Sequence, residues 1–189
     1  MNRLVITKNF SSIRIALIVN SLTQLQKIKN TDNLGADILE LRLDLFSKKD
    51  LGYFLKHQDI LRGLEYPLIT TIRSEDEGGK THFSDQQRFD LFLACLPSAS
   101  AVDIELRSPK LLDKMRPILK KQNKQLIVSF HDFTKTPTAS GLEKILLKSK
   151  QYCPDITKIA VMANSRQDVL RLAAFTIDRH HDNIITISM

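Results

Sequence analysis

Lysine, histidine and glutamate side chains at three separate points of this chain could together carry out carbonyl chemistry. Lys158 interrupts an otherwise apolar run, Asp155–Met162, of the kind that forms a buried strand. A cation buried without a partner is costly, and it avoids that cost by giving up its proton. Because a neutral lysine amine is a nucleophile that forms Schiff bases with carbonyl compounds, Lys158 is the first candidate catalytic residue.

Two further segments carry groups that could assist a Schiff base. His131 lies within Ile127–Pro137, 27 residues before Lys158, and supplies a general acid or base. An apolar run leads into an acidic, glycine-containing loop within Thr70–Gly79, which contains Arg73 and Glu77. Taken singly these signals are weak, since a strand histidine is usually a core residue and an acidic loop is usually a solvated turn. The acidic loop lacks the alternating ligands of a calcium loop, so no metal is predicted.

The elements that position these residues are strands and helices in regular alternation. Apolar strand-like runs begin roughly every 28 residues, separated by amphipathic helical patterns. Serines at positions 84, 108 and 165 mark helix starts. Such alternation with short loops predicts a parallel sheet with right-handed crossovers. The predicted strands are Ile13–Asn20, Ala36–Asp44, Pro67–Ser74, Ala101–Leu106, Gln125–Asp132, Asp155–Met162 and Asn183–Met189.

Two architectures fit this alternation, an open doubly wound sheet and a closed (β/α) barrel. The glycine-rich fingerprint of dinucleotide binders is absent after the first predicted strand. Polar residues gather in the second half of strand after strand, as expected for a barrel whose site is built at the carboxyl ends of its strands. An open sheet would concentrate them at one switch point. These residues are Glu40, Arg42, Asp44, Arg73, Glu105, Ser129, His131 and Lys158.

Three of these polar residues alternate along a single strand. Glu40, Arg42 and Asp44 are two residues apart, so they are expected to share one face. One interpretation is an internal salt-bridge ladder that holds the barrel interior together. That interpretation is compatible with a role in binding substrate.

Composition predicts a cytoplasmic protein with one core. The chain has 189 residues, of which 42% are hydrophobic, enough for one compact core or a large part of one. The N-terminal apolar run is too short for a signal peptide, and no run is long enough to span a membrane. Two distant cysteines, Cys95 and Cys153, predict inert thiols in a reducing compartment.

The net charge of +7 raises nucleic-acid binding as an alternative function. The basic residues are dispersed among leucines at helical spacing, and they are not interleaved with aromatic residues. This pattern is typical of solvated helix faces. Attraction of a small anionic substrate would be a secondary reason for the net positive charge. We therefore expect a small-molecule substrate and neither nucleic acid nor membrane as partner. The sequence leaves the oligomeric state open, with a homodimer as one option.

The chain resembles the type I 3-dehydroquinate dehydratases, a family of (β/α)₈ barrels in the shikimate pathway of aromatic amino acid biosynthesis. Five segments match in the family's order, from the second strand to the sixth, and a sixth segment continues the match at the seventh strand. The segments are GADILELRLDL (35–45), TIRSEDEGG (71–79), VDIEL (102–106), SFHDFTKTP (129–137), DITKIAVM (155–162) and ITISM (185–189).

The resemblance implies a role for each candidate residue. Lys158 would form a Schiff base with the C3 ketone of 3-dehydroquinate, and His131 would take a C2 proton and assist departure of the C1 hydroxyl in a syn elimination. Glu77 matches the glutamate that pairs with the histidine. Glu40, Arg42 and Arg73 match positions that contact substrate. The resemblance implies no metal and no organic cofactor.

The resemblance is incomplete at the C-terminus. Eight repeats of roughly 28 residues counted from residue 13 would end about 50 residues beyond Met189. The family also has an eighth βα unit, an arginine that holds the substrate carboxylate, and lid residues in that region. We expect one (β/α) barrel domain over residues 1–189 with about seven of eight βα units. A fragment, a naturally short chain and one section of a longer polypeptide would each account for this.

Two alternatives to the dehydratase remain from sequence alone. Another class I Schiff-base barrel, such as an aldolase, shares the strand lysine but does not account for the HDFTKTP and RSEDEGG segments together. A catalytically impaired or non-catalytic homologue would account for the missing carboxylate anchor. Turnover of dehydroquinate compared with sugar phosphates, and proton exchange at C2, would separate the three.

Overall fold

The computed structural model describes residues 14–31 and 33–189 of the chain. These residues form two compact units, one that ends at Asp103 and one from Ile104 to Met189. The expectation of a single barrel domain over residues 1–189 stays a prediction. The predicted first strand began at Ile13, which lies outside the described residues.

The first unit is built on parallel strands in the order of the sequence. Strand β1 pairs with β2, β2 with β3, and β3 with β4. The strands are β1 (Ala16–Val19), β2 (Ile38–Arg42), β3 (Leu68–Thr71) and β4 (Ala101–Glu105), whose last two residues belong to the second unit. The helices are α1 (Leu22–Lys29), α2 (Lys48–Lys56) and α3 (Asp85–Cys95), and short 3₁₀ turns cover Leu43–Leu45, Gln58–Leu61 and Glu75–Glu77.

The second unit continues the alternation. Strand β5 (Gln125–Asp132) pairs with β6 (Ile156–Val161), and β6 pairs with β7 (Ile184–Ser188), all in parallel. Helix α4 (Pro109–Lys121) precedes β5, α5 (Ala139–Lys150) connects β5 to β6, and α6 (Arg166–Asp178) connects β6 to β7. In each unit consecutive strands are neighbours and the strand order never reverses. A doubly wound sheet would contain a reversal, so the fold belongs to the TIM-barrel type of α/β protein, as predicted.

Helices α3, α4 and α6 begin where the sequence predicted, although their caps differ in detail. Ser84 forms a capping box with Gln87 at the start of α3. Ser165 accepts from the amide of Asp168 at the start of α6, whereas the Asp168 carboxylate accepts from the amide of Asn164. Ser108 makes no side-chain cap for α4, where Pro109 occupies the first turn. Each cap satisfies amides that have no partner within the helix, which fixes where the preceding loop ends.

The two faces of β6 have different surroundings. Ile159 and Val161 pack in a buried cluster with residues of α5 and α6, including Leu146 and Leu172. Side chains alternate along a strand, so Lys158 and Ala160 point to the opposite face. The helices thus cover one face of the second unit's sheet, and Lys158 lies on the other.

The two cysteines have different surroundings. Cys95 is fully buried in α3, and burial raises the pKa of its thiol to about 12, so it stays protonated at neutral pH. Cys153 is exposed. Among the described residues, no helix combines the length and the apolar character that crossing a membrane requires.

Candidate active site

Lys158 lies in the middle of β6, as the sequence predicted, but it is half-buried rather than fully buried. The residues on either side of it, Thr157 and Ile159, are buried on the helix-covered face. The Thr157 hydroxyl is 2.8 Å from that of Ser149 on α5, which fixes the direction of that face. Lys158 is therefore directed away from the helices, toward the opposite face of the sheet.

His131 lies on the neighbouring strand and points to the same face as Lys158. The register pairs Ser129 with Lys158 and His131 with Ala160, so His131 is one strand across and two residues further along. With strands about 4.8 Å apart and a rise of about 3.3 Å per residue, the two Cα atoms are about 8 Å apart. Flexible lysine and histidine side chains on one face at that spacing can act on neighbouring atoms of one small substrate.

The backbone around His131 is held by its neighbours. The Arg107 guanidinium donates to the carbonyl oxygen of His131 at 3.1 Å and lies over the Phe130 ring at 4.6 Å. The His131 ring itself is buried and is nearly parallel to that of Phe133, with centroids 6.1 Å apart. These contacts restrict the conformations that the end of β5 can adopt.

The loop that follows His131 is tied to the loop that follows β6. The Thr136 hydroxyl donates to the Met162 carbonyl at 2.8 Å, and the Asn164 side-chain amide donates to the Thr134 carbonyl at 2.7 Å. Asp132 starts this loop by accepting from the Thr134 amide and hydroxyl. These bonds couple the segment after the histidine to the segment after the lysine strand.

In the first unit, Arg42 and Asp44 form the ion pair that the alternating pattern predicted. Nε and Nη2 of Arg42 donate to the two carboxylate oxygens of Asp44 at 2.9 and 2.7 Å. Asp44 lies beyond the end of β2, in a 3₁₀ turn, so the predicted strand extended two residues too far at this end. Glu40 accepts from the Thr71 hydroxyl at 2.8 Å. The carboxylate of Asp44 also accepts from the Arg73 amide, which links the turn after β2 to the loop after β3.

Arg73 is buried in a bidentate pair with Asp103 on β4. Nη1 and Nη2 each lie 3.1 Å from one carboxylate oxygen, and the two side chains are 3% and 1% exposed. Strand β3 ends at Thr71, so Arg73 stands in the loop rather than on the strand that the sequence predicted through Ser74. Its positive charge is compensated within the first unit by a carboxylate that sequence reasoning did not single out.

Glu77 is buried in a 3₁₀ turn that folds back on Arg73. The Gly79 amide donates to the Ser74 carbonyl at 2.8 Å and closes the turn. A Cβ at Gly79 would lie 2.1 Å from the Arg73 carbonyl oxygen, so this position requires glycine. The turn thereby fixes the location of Glu77 relative to Arg73.

The structure thus brings the predicted residues together in two sets. His131 and Lys158 share one face of the second unit, and Glu40, Arg42, Arg73 and Glu77 belong to the first unit. The sequence signal that could have identified Asp103 is a carboxylate in a short buried strand, the same anomaly that identified Lys158. Within the described part of the chain, no group of three or more histidine, cysteine, aspartate or glutamate residues could hold a metal ion.

The fold and the site define the class of protein, which is a TIM-barrel type of α/β protein with a lysine and a histidine on adjacent strands. Comparison with known proteins identifies the family. The chain belongs to the type I 3-dehydroquinase family of hydro-lyases, whose model matches residues 14–189.

Relatives in sequence and in structure agree with this family. The chain is 36% identical over 175 residues to the 3-dehydroquinate dehydratase of Aquifex aeolicus, covering 93% of this chain and 78% of that protein. The crystal structure of 3-dehydroquinate dehydratase from Geobacillus kaustophilus superposes with a TM-score of 0.82 at 28% identity, covering 95% of this chain and 74% of that one. A putative deoxyribose-phosphate aldolase from Coccidioides immitis has a TM-score of 0.53 at 14% identity and shares the fold alone.

Proposed function

We propose that this protein dehydrates 3-dehydroquinate to 3-dehydroshikimate, a step of the shikimate pathway, through a Schiff base on Lys158. The observation that carries the proposal is the register of β5 and β6, which puts Lys158 and His131 on one face of adjacent strands. Family membership supports the substrate, because the sequence relative described above is named for this dehydration. An aldolase is less well supported, since the aldolase described above resembles the chain in fold alone.

In the proposed reaction the neutral amine of Lys158 attacks the C3 carbonyl carbon, and water leaves as the imine forms. The imine draws electrons from the neighbouring carbon, which makes the C2 proton acidic. His131 takes that proton, and the C2 electron pair forms the new double bond as the C1 hydroxyl departs. Protonation of the departing hydroxyl by His131 completes the loss of water. Hydrolysis of the imine then releases the product and restores the amine.

The first unit supplies the remaining roles in this proposal. From the family resemblance, Glu77 is assigned to the reaction, and Glu40, Arg42 and Arg73 are assigned to contact with the substrate. The ion pairs with Asp44 and Asp103 hold the two guanidinium groups in fixed orientations before substrate binds. Preorganised charged donors of this kind bind hydroxyl and carboxylate groups without reorganising. The proposal includes a cytoplasmic location, no metal or organic cofactor, and association of two copies of the chain.

Borohydride trapping tests this function. Incubation of the full chain with 3-dehydroquinate and borohydride should add one reduced adduct, located at Lys158 by peptide mass spectrometry. Lys158→Met should abolish the adduct and leave the fold intact, because the unbranched side chain roughly conserves volume. The matched control is Lys150→Met, which removes an exposed lysine paired with Asp182 and should leave the adduct unchanged. A folded wild-type protein without an adduct would contradict the proposal and favour a non-catalytic homologue.

A further inference from the structure

An arginine occupies a position on α3 where the helix would otherwise bury an apolar side chain. Arg88 is 2% exposed and is the bulkiest fully buried side chain in the described part of the chain. The other buried residues of α3 are Leu91, Phe92 and Cys95. Burying a guanidinium is costly unless hydrogen bonds replace its hydration. Asp85, one turn earlier, is 3.8 Å away and mostly exposed, so it is a weak partner for that charge.

A buried hydrogen bond connects Arg88 to the backbone next to Arg73. Nε of Arg88 donates to the Ile72 carbonyl oxygen at 2.9 Å. That carbonyl belongs to the same peptide group as the Arg73 amide, which donates to a carboxylate oxygen of Asp44 at 3.2 Å. Because this peptide is trans, its C=O and N–H bonds point in opposite directions. The two side chains therefore hold the peptide group between residues 72 and 73 from opposite sides.

This peptide group lies just past the end of a strand, which explains why side chains are its partners. Thr71 is the last residue of β3 that pairs with the neighbouring strands, opposite Arg42 on β2 and Asp103 on β4. Ile72 is fully buried, and an unpaired N–H or C=O group there would cost free energy. Side chains from α3 and from the turn after β2 satisfy both groups. Hydrogen bonds to charged groups are stronger than those between neutral groups, so they hold the peptide firmly.

We infer that Arg88 is a positioning residue for Arg73, an inference that rests on the proposed function, in which Arg73 contacts substrate. The backbone of Arg73 is fixed on one side by Arg88 and on the other by Asp44, and its guanidinium is fixed by Asp103. Arg88 thus affects substrate binding through the peptide group between residues 72 and 73. A guanidinium held in place before substrate arrives binds it without reorganising.

The alternative is that Arg88 only stabilises the fold. A loss of stability lowers the fraction of folded enzyme, which reduces the apparent kcat and leaves KM unchanged. A displaced Arg73 weakens substrate binding in every folded molecule, which raises KM. Kinetic parameters and stability measured on the same variants therefore separate the two roles.

Steady-state turnover of 3-dehydroquinate by the full chain is the first measurement. Arg88→Met removes the donor and keeps a long, unbranched side chain, so KM should rise by about 10–100-fold while kcat changes by less than about 3-fold. Arg88→Lys keeps a charged donor, so its KM should lie between those of wild type and Arg88→Met. The lysine variant also provides the test if Arg88→Met does not fold.

Two controls match these variants. Arg62→Met removes an exposed arginine of the same unit and should leave KM unchanged. Leu91→Ala opens a cavity on the buried side of α3, so it should lower the thermal midpoint and leave KM unchanged. A wild-type KM in the Arg88 variants, or an equal rise of KM in Leu91→Ala, would overturn the inference.

A comparison of multiple variants tests whether Arg88 acts through Arg73. In a chain with Arg73→Met and Asp103→Leu, the guanidinium that Arg88 positions is absent. Adding Arg88→Met to that chain should raise KM by less than about 2-fold, although the same substitution should raise it by about 10–100-fold in wild type. Effects that multiply would mean that Arg88 acts independently of Arg73, contrary to the inference.

Amide hydrogen exchange tests the positioning without any turnover. In Arg88→Met the Arg73 amide should exchange about 10-fold faster or more than in wild type, a larger change than at the Leu39 amide, which donates to the Pro67 carbonyl at 3.0 Å. A wild-type chain that does not turn over 3-dehydroquinate would contradict the proposed function, and the exchange rates would still decide whether Arg88 holds this peptide group. Equal changes at the two amides would overturn the inference.

Discussion

Lys158 on β6 and His131 on β5 point to the same face of the sheet, with His131 one strand across and two residues further along. This relationship is a direct consequence of parallel register, because paired residues share a face and residues two apart share it too. The amine of Lys158 and the imidazole of His131 can therefore react at adjacent carbons of one substrate. The proposed elimination requires that arrangement, with the imine at one carbon and proton removal at the next.

His131→Ala should separate the two chemical steps. Without the imidazole, turnover of 3-dehydroquinate should fall by about 10²–10⁴-fold or more, the usual effect of losing a general acid or base. Imine formation depends on Lys158, so borohydride should still trap an adduct there. The control is His57→Ala, an exposed histidine at the end of α2, with turnover unchanged. A variant that folds but forms no adduct would mean that His131 acts earlier, in forming the imine.

Asp103→Ala should destabilise the first unit, because it removes the carboxylate that pairs with the buried guanidinium of Arg73. Removing one partner of a buried bidentate pair takes away two charge-assisted hydrogen bonds, and we expect the free energy of unfolding to fall by about 3 kcal/mol. The control pair is Lys150–Asp182, whose side chains are 47% and 28% exposed, and Asp182→Ala should cost less than about 1 kcal/mol. Urea denaturation of both variants measures the difference.

A double replacement distinguishes lost charge pairing from lost packing at the same site. Arg73→Met with Asp103→Leu removes both charges and keeps apolar volume, so it should recover most of the stability that Asp103→Ala loses. Turnover should not recover, because the proposed substrate contact of Arg73 is absent. A double variant less stable than Asp103→Ala would show that the pair stabilises the fold beyond compensating its own charges.

Much of the fold was predictable because parallel strands and covering helices leave strong patterns. All seven predicted strands exist, and the predicted bounds of β5 match the structure. The errors lie at strand ends: Asp44 and Arg73 follow their strands, in a turn and a loop. Alternating polarity indicates which face a residue occupies, but it does not indicate where hydrogen bonding to the neighbouring strand stops.

The sequence predicted which residues belong to the candidate site better than it predicted the contacts among them. Lys158 and His131 stood out because each is a polar residue in an apolar strand. Asp103 shares that property, yet its partner Arg73 is 30 residues earlier, and only the register of β3 and β4 brings the pair together. The pairing of these two residues depends on the tertiary structure. The sequence shows only that each of them is a charged residue in or beside an apolar strand.

Gly79→Ala should destabilise the turn that contains Glu77. The added Cβ would lie 2.1 Å from the Arg73 carbonyl oxygen and 2.9 Å from that of Ser74, so the backbone must move. We expect a loss of about 1–3 kcal/mol in the free energy of unfolding, as for other overpacked sites. The same substitution at Gly52, in α2, meets no atom within 4 Å and should stabilise by up to about 1 kcal/mol. Equal effects at the two glycines would contradict the steric explanation.

Asp132→Asn should weaken the fold at neutral pH and have less effect in acid. Partial burial of Asp132 raises its pKa, but hydrogen bonds from the Thr134 hydroxyl and amide and from the Lys135 amide outweigh burial, so the pKa is lowered overall. A carboxyl group whose folded pKa is below its unfolded value, about 3.9, stabilises the fold above that pH. That contribution is lost as the pH falls through the folded value.

The measurement is the urea midpoint of wild type and Asp132→Asn between pH 7 and pH 3 in one salt concentration. The difference between the two proteins should be largest at pH 7 and should shrink below about pH 4, where the carboxyl group of the unfolded wild-type chain begins to take up its proton. Asp113→Asn, on the exposed side of α4, should change the midpoint little at either pH. A difference that grows toward pH 3 would mean that the neutral form of Asp132 is the better acceptor in the folded loop, contrary to the lowered pKa.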